Sequence, residues 1–151
     1  MISSASLIAT WFGSGLLPKA PGTWGSLAAL PFAWGIATLT GTPHSLLLAA
    51  LVLLPIGAWA SARHSATLGT HDAGEIVVDE VVGLWLVLGV VPVAPHWWLA
   101  GFALFRLFDV WKPWPISWLD ANVHGGWGIM LDDVAAGIAG AVVLAFVFLS
   151  F

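Results

Sequence analysis

The strongest constraint on this chain is where its charges stand. All four Lys and Arg and all eight Asp and Glu fall at Lys19, within 63–80 or within 106–133, which leaves 20–62, 81–105 and 134–151 without a charged side chain. Uncharged apolar runs of that length, bounded by Gly and Pro turn signals, read as helices that satisfy their backbone polar groups internally, as a bilayer requires. With 60% hydrophobic and 8% charged residues and a mean hydropathy of +0.96, against about 25% charged in soluble domains, the chain reads as an integral membrane protein.

The runs divide at turn residues. The Gly/Pro loop Gly13 to Ser26 leads into a helix over Trp24 to Leu39, with Gly22 or Thr23 as cap. After the turn Gly41-Thr-Pro-His44, a second apolar helix over Ser45 to Ala62 closes at Arg63 and His64, making an antiparallel hairpin. A polar loop, Ser65 to Glu80, precedes two apolar segments, Val81 to Val91 and Trp97 to Phe108, split by Pro92-Val-Ala-Pro95. Each is shorter than the ~20 residues of a span, so both extend into their flanks or form a re-entrant pair. A second polar loop, Trp111 to Asp133, is followed by a last helix over Val134 to Phe151. The stretch Met1 to Leu17 has no basic residue before Lys19 and so lacks a signal-peptide n-region; it is taken as part of the fold. The resulting expectation is an all-α, polytopic integral membrane protein: a single domain over 1–151 with about five membrane-embedded helical segments and its polar loops on one face.

If the chain reverses at each turn, Lys19, Arg63, Arg106, Lys112 and all the acids share one side, and the opposite turns carry only His44 and His96. By the positive-inside rule that side is cytoplasmic. Four basic residues make no footprint for nucleic acid, which is excluded as a partner. The absence of Cys removes disulfides, thiolate-bound metals and thiol nucleophiles together.

The acids are the candidates for chemistry. Asp79 and Glu80 begin one helix, with Glu75 one turn earlier, and Asp132 and Asp133 open the final one. Carboxylates at the rim of a bilayer are costly unless paired or metal-bound. Two acid pairs at helix starts on one side can converge on a hard divalent cation, Mg²⁺, Mn²⁺ or Ca²⁺, with Asp109 as a fifth acid. The competing reading is that acids in a first helical turn simply complement the macrodipole. Arg106, Asp109 and Lys112 share one face of a helix end ahead of Pro113 and Pro115. Arg106 and Lys112 can clamp phosphate oxygens or can neutralise Asp109 and Asp120. Lys19 with Pro21-Gly-Thr-Trp-Gly-Ser26 resembles an anion-binding loop at a helix start, and serves equally well as a cap and packing site. His71 with Asp72 offers a general base and its orienter, or a solvated loop pair. No Gly-x-Ser-x-Gly elbow, Walker lysine loop or His-Glu-x-x-His pair is present, which disfavours a nucleophile-driven hydrolase.

Four blocks in this order, Gly15 to Ser26, Glu75 to Gly83, Phe105 to Asp109 with Lys112 to Ile116, and Gly125 to Asp133 with Ala136-Gly137, resemble the phosphatidylglycerophosphatase A family. The resemblance implies a magnesium-dependent phosphatase of the bacterial inner membrane, multi-pass, acting at its cytoplasmic face. Its substrate would be the phospholipid phosphatidylglycerophosphate, whose terminal phosphate it removes to give phosphatidylglycerol. On this reading Asp79, Glu80, Asp132 and Asp133 hold Mg²⁺, and Asp109 is general base or a further ligand. Arg106, Lys112 and Lys19 bind phosphate, with Gly22, Thr23 and Ser26 adding N–H and hydroxyl donors. The chain departs from the family pattern at Ala73, where proline is common, and at Ala121, where a basic residue is common. The alternative is a cation-coupled small transporter or channel, which would string its acids along a conducting path.

Overall fold

The computed structural model describes residues 3–151, and among them it is all helical. Seven α-helices follow in order: α1 (Ser4–Ala9), α2 (Pro21–Thr40), α3 (Ser45–Leu68), α4 (Val78–Leu88), α5 (Pro95–Trp111), α6 (Ile116–Asn122) and α7 (Gly125–Ser150), with a 3-10 turn at Ser14–Leu16 between the first two. The start of α2 is set by Pro21, whose ring presets a helical φ and whose missing N–H would have no partner in a first turn. Gly41 and Gly69 take left-handed φ of 73° and 67° to end α2 and α3, a conformation that carries no Cβ penalty in glycine.

The shortest of the apolar helices is the centre of the bundle. α4 packs against α2, α3, α5 and α7, and nine of its eleven residues are buried, among them Val81, Val82, Leu84, Val87 and Leu88. At about 1.5 Å per residue it is some 16 Å long, half of a hydrocarbon layer. This corrects the expected count of about five membrane-embedded segments. Two helices, α3 and α7, are long and apolar enough to cross a bilayer. α4 reads as apolar because protein surrounds it, and a sequence cannot distinguish a side chain facing core from one facing lipid. Trp85 ties it to α2 by donating its indole N–H to the Ala29 carbonyl at 3.2 Å, and His44 Nδ1 lies 2.8 Å from the Gly89 carbonyl at the far end.

Helix limits also shift. α7 starts at Gly125, so Asp132 and Asp133 lie two turns inside it instead of opening it, and the supposed loop after Trp111 contains α6 and those two turns. α3 likewise continues past Ala62 to Leu68.

α7 approaches its neighbours through glycines. A Cβ on Gly137 would stand 2.5 Å from the Gly83 carbonyl oxygen, and one on Gly83 would stand 2.6 Å from the Asp133 carbonyl oxygen. Gly126 lies against the Ala58 carbonyl, and a Cβ on Gly57 would sit 2.7 Å from Met130 Cε. Small residues let helix backbones approach where a larger side chain would hold them apart. Because Asp79 and Asp133 each lie four residues before the glycine at the α4–α7 contact, one turn up both helices brings their carboxylates face to face.

Candidate active site

The site is built at the charged end of the bundle, around the α4–α7 contact. One carboxylate oxygen each from Asp79, Glu80 and Asp133 lie within 4.8 Å of one another. Asp79 and Asp133 are buried, and Glu80 Oε2 and Asp133 Oδ2 are enclosed by protein without a hydrogen-bond partner. The cluster faces a cavity of about 190 Å³ whose lining is mostly polar and includes Asp109, Lys112, Asp120 and Asp132. His71 and Asp72 close another side, and His71 Nε2 accepts the Gly125 N–H at 2.9 Å.

Two cations organise the acids that surround the cluster. Arg106 donates to Asp109 one turn along α5; its Nη1 is also 3.8 Å from Glu80 Oε1 and its Nη2 is 3.5 Å from Thr23 Oγ1. Lys112, at the C-terminus of α5 with φ 47°, bridges Asp120 of α6 at 2.8 Å and Asp132 of α7 at 2.7 Å. Burial pulls its ammonium pKa down, but the bonds to Asp120 and Asp132 outweigh this and hold it above the usual lysine value. Asp132 therefore turns to Lys112, while Asp133, about 100° further round the helix, joins Asp79 and Glu80.

Burial pushes the Asp79 carboxyl well above the ordinary carboxylate range, with the charges of Glu80 and Asp133 adding to the rise. Glu80 is raised by burial too, partly opposed by its bond to Asp79 and by Arg106. Carboxylates this close cannot all ionise on their own. A hard dication relieves that repulsion and takes oxygen donors only. Three clustered carboxylates with two unpartnered buried oxygens fit such an ion.

The residues of the Gly/Pro loop take different places. Gly22 lies so close to Glu80 Oε1 that a Cβ there would collide with it, and the same Cβ would be 2.9 Å from Arg106 Nη1. Thr23 meets Arg106. Ser26 is buried and donates its hydroxyl to the Gly22 carbonyl at 2.8 Å, within α2. Lys19 is exposed on the loop with φ 60°, outside the cavity lining.

One constellation was not signalled by the sequence. His64, buried on α3, has Nε2 2.6 Å from Glu75 Oε1 and Nδ1 2.9 Å from Ser6 Oγ. The bond fastens the loop that launches α4. The same loop is held by Val77 N–H donating to the Ala9 carbonyl at 2.8 Å and by Gly15 packing on the Glu75 carbonyl. Glu75 stood out in the sequence for its spacing from Asp79, but nothing marked His64, 11 residues away, as its partner.

Comparison with known proteins bears on what such a site does. The family described as Phosphatidylglycerophosphatase A matches residues 7–148. The chain is 46% identical over 142 residues to Phosphatidylglycerophosphatase A of Escherichia coli (strain K12), which covers 93% of this chain and 81% of that protein. It is 43% identical over 145 residues to the protein of the same name from Haemophilus influenzae, covering 95% of this chain and 88% of the relative. A Bacteroides thetaiotaomicron protein, provisionally named phosphatidylinositol-3-phosphatase, is 43% identical over 147 residues, covering 92% of this chain and 90% of its own length. No solved structure matches the chain.

Proposed function

The chain belongs to the phosphatidylglycerophosphatase A family, and from that premise we propose that it hydrolyses the terminal phosphomonoester of phosphatidylglycerophosphate, with Mg²⁺ as cofactor. The supporting observation is the convergence of Asp79, Glu80 and Asp133 within 4.8 Å at a polar cavity shared with Asp109 and Lys112. Asp79, Glu80 and Asp133 would hold Mg²⁺, with Asp132 beside them. When bound, the ion supplies positive charge against the phosphate oxygens and acidifies water.

The chain's own groups do the rest. Asp109 accepts the proton of the attacking water as its oxygen bonds to phosphorus. The bond from phosphorus to the lipid's glycerol oxygen breaks, and that oxygen takes a proton from solvent. Arg106 orients Asp109 and faces Glu80. Lys112 presents its ammonium to the phosphate from between Asp120 and Asp132. Gly22 and Thr23 in the first turn of α2 back Glu80 and Arg106, Ser26 lies buried one turn on, and Lys19 on the preceding loop is exposed at the surface to meet the head group. Such a reaction depends on positioning and charge stabilisation and needs no covalent nucleophile.

The protein sits in the bacterial inner membrane on this reading, with the site on the cytoplasmic side. The two membrane-length helices and the gathering of basic residues toward the site end support that seating. A cation-coupled transporter would need its acids along a path, whereas here they gather at one end.

The test is phosphate release by the purified protein from phosphatidylglycerophosphate in mixed micelles, with Mg²⁺ and then with excess EDTA, alongside phosphatidylinositol 3-phosphate. Release from the first lipid, abolished by EDTA and restored by Mg²⁺, is expected. Release that survives EDTA would remove the metal assignment, and preference for the inositol lipid would replace the substrate.

A further inference from the structure

The chain holds eleven Trp and no Tyr, and the reaction uses none of them. Trp11 and Trp85 are core residues. Four others lie on the segments that frame the site and are exposed: Trp111 at the end of α5, Trp114 in the following turn, Trp118 on α6 and Trp127 in the first turn of α7. Trp114 is 80% exposed. A soluble protein does not leave four indoles in water around one opening.

A second group stands at the other end. Trp34 of α2 shares a small cavity with Pro95 and Trp98 at the start of α5. Beside them Trp97 packs edge-on against Phe148 of α7, with ring centroids 5.3 Å apart. Along α7 the distance from Trp127 to Phe148 is 21 residues, about 31 Å at 1.5 Å per residue, which matches the ~30 Å hydrocarbon layer. Between the two groups, α3 and α7 expose only apolar side chains such as Leu48, Leu51, Val52, Ile138, Val142 and Phe146.

We propose that Trp111, Trp114, Trp118 and Trp127 form a lipid-facing belt that seats the site end of the protein in the head-group layer, with α7 crossing the bilayer to its opposite boundary near Phe148, where Trp97 packs. Indole suits that boundary because its rings are apolar and its N–H needs a polar partner. The belt has depth. The Lys112–Asp132 bond sets the end of α5 beside the second turn of α7, so Trp111 lies level with the carboxylates and Trp127 five to six residues above them, about 8 Å nearer water. The acids are thereby held about 8 Å inside the boundary that Trp127 marks, level with Trp111. A phosphomonoester lipid reaches them by sliding sideways within its leaflet, without lifting its acyl chains into water. Only the identity of that lipid rests on the phosphatase reading; the seating does not.

Because the chain has no Cys, single Cys substitutions can be labelled without background. Trp114→Cys, Trp118→Cys and Trp127→Cys would each carry an environment-sensitive fluorophore in vesicles of phosphatidylethanolamine and phosphatidylglycerol, with Ile138→Cys, exposed and midway between Trp127 and Phe148 on α7, as the mid-bilayer reference. Nitroxide lipids labelled near the head group should quench the three Trp positions at least about twofold more than lipids labelled near the chain ends, and Ile138 should show the reverse order. Quenching of positions 114 and 118 by aqueous iodide with no response to either nitroxide would place them in water and overturn the proposal. Protection from iodide and from both nitroxides would mean that another copy of the chain covers them, which overturns it equally. No turnover is measured, so failure of the belt and failure of the phosphatase assignment are separate outcomes.

Discussion

Replacing Asp79 by Asn tests the site through its energetics. Its carboxylate shares a volume less than 4.8 Å across with those of Glu80 and Asp133. Two ionised carboxylates at that separation repel by about 3.5 kcal/mol at an effective dielectric of about 20. Without a cation the protein relaxes this by binding protons, each unit of pKa rise being worth about 1.4 kcal/mol. The Asp79 pKa is raised, chiefly by burial, so the folded state binds more protons than the unfolded one. Its contribution to stability is full below the ordinary pKa of about 3.9 and is lost as pH rises through the folded value. Asn keeps the shape and removes the charge. In EDTA near pH 8 the Asp79→Asn protein should be more stable than the wild type by about 2 kcal/mol, or about 4–8 °C in Tm for a chain of this size. The gain should shrink steadily as pH falls toward 4. Mg²⁺ should raise the wild-type Tm and leave the variant nearly unmoved, while phosphatase activity disappears in the variant. Thermal unfolding in detergent from about pH 5 to 9, with and without Mg²⁺, reads all of this. A variant that is destabilised at every pH, or that gains as much from Mg²⁺ as the wild type does, would refute a repulsive, cation-ready cluster.

Three further substitutions probe the supports of the site. Gly137→Ala sets a methyl 2.5 Å from the Gly83 carbonyl oxygen; α4 and α7 must part, so stability should fall by about 1–3 kcal/mol and Mg²⁺ affinity should weaken, read by unfolding and by titration calorimetry. His64→Ala strips Glu75 and Ser6 of their buried partner and should cost about 2–3 kcal/mol, whereas Glu75→Ala combined with it should cost little more in a double-mutant cycle. Lys112→Gln leaves Asp132 without its cation; activity should drop at least about tenfold while the far-ultraviolet dichroism stays unchanged.

The helical class, the gathering of charge on few segments and the acid pairs were all legible residue by residue. Uncharged runs between glycine and proline turns admit little except helix, and carboxylates bordering apolar runs are too costly to be incidental. The position of α4 was not legible. Val81 to Leu88 would carry the same side chains whether lipid or protein surrounded them, and only packing by α2, α3, α5 and α7 decides between the two. Nor could sequence separate Asp132 from Asp133: adjacent in the chain, they differ by a rotation of about 100° that sends one to Lys112 and the other to Asp79 and Glu80. Ser6, His64 and Glu75 lie up to 69 residues apart in the chain, beyond any local periodicity. Composition and spacing determine which residues must find a partner, because desolvation of a charge is a property of the residue itself. Which partner each one finds is a property of the glycine-to-backbone approach of α4 and α7, where the absence of two side chains brings three carboxylates together.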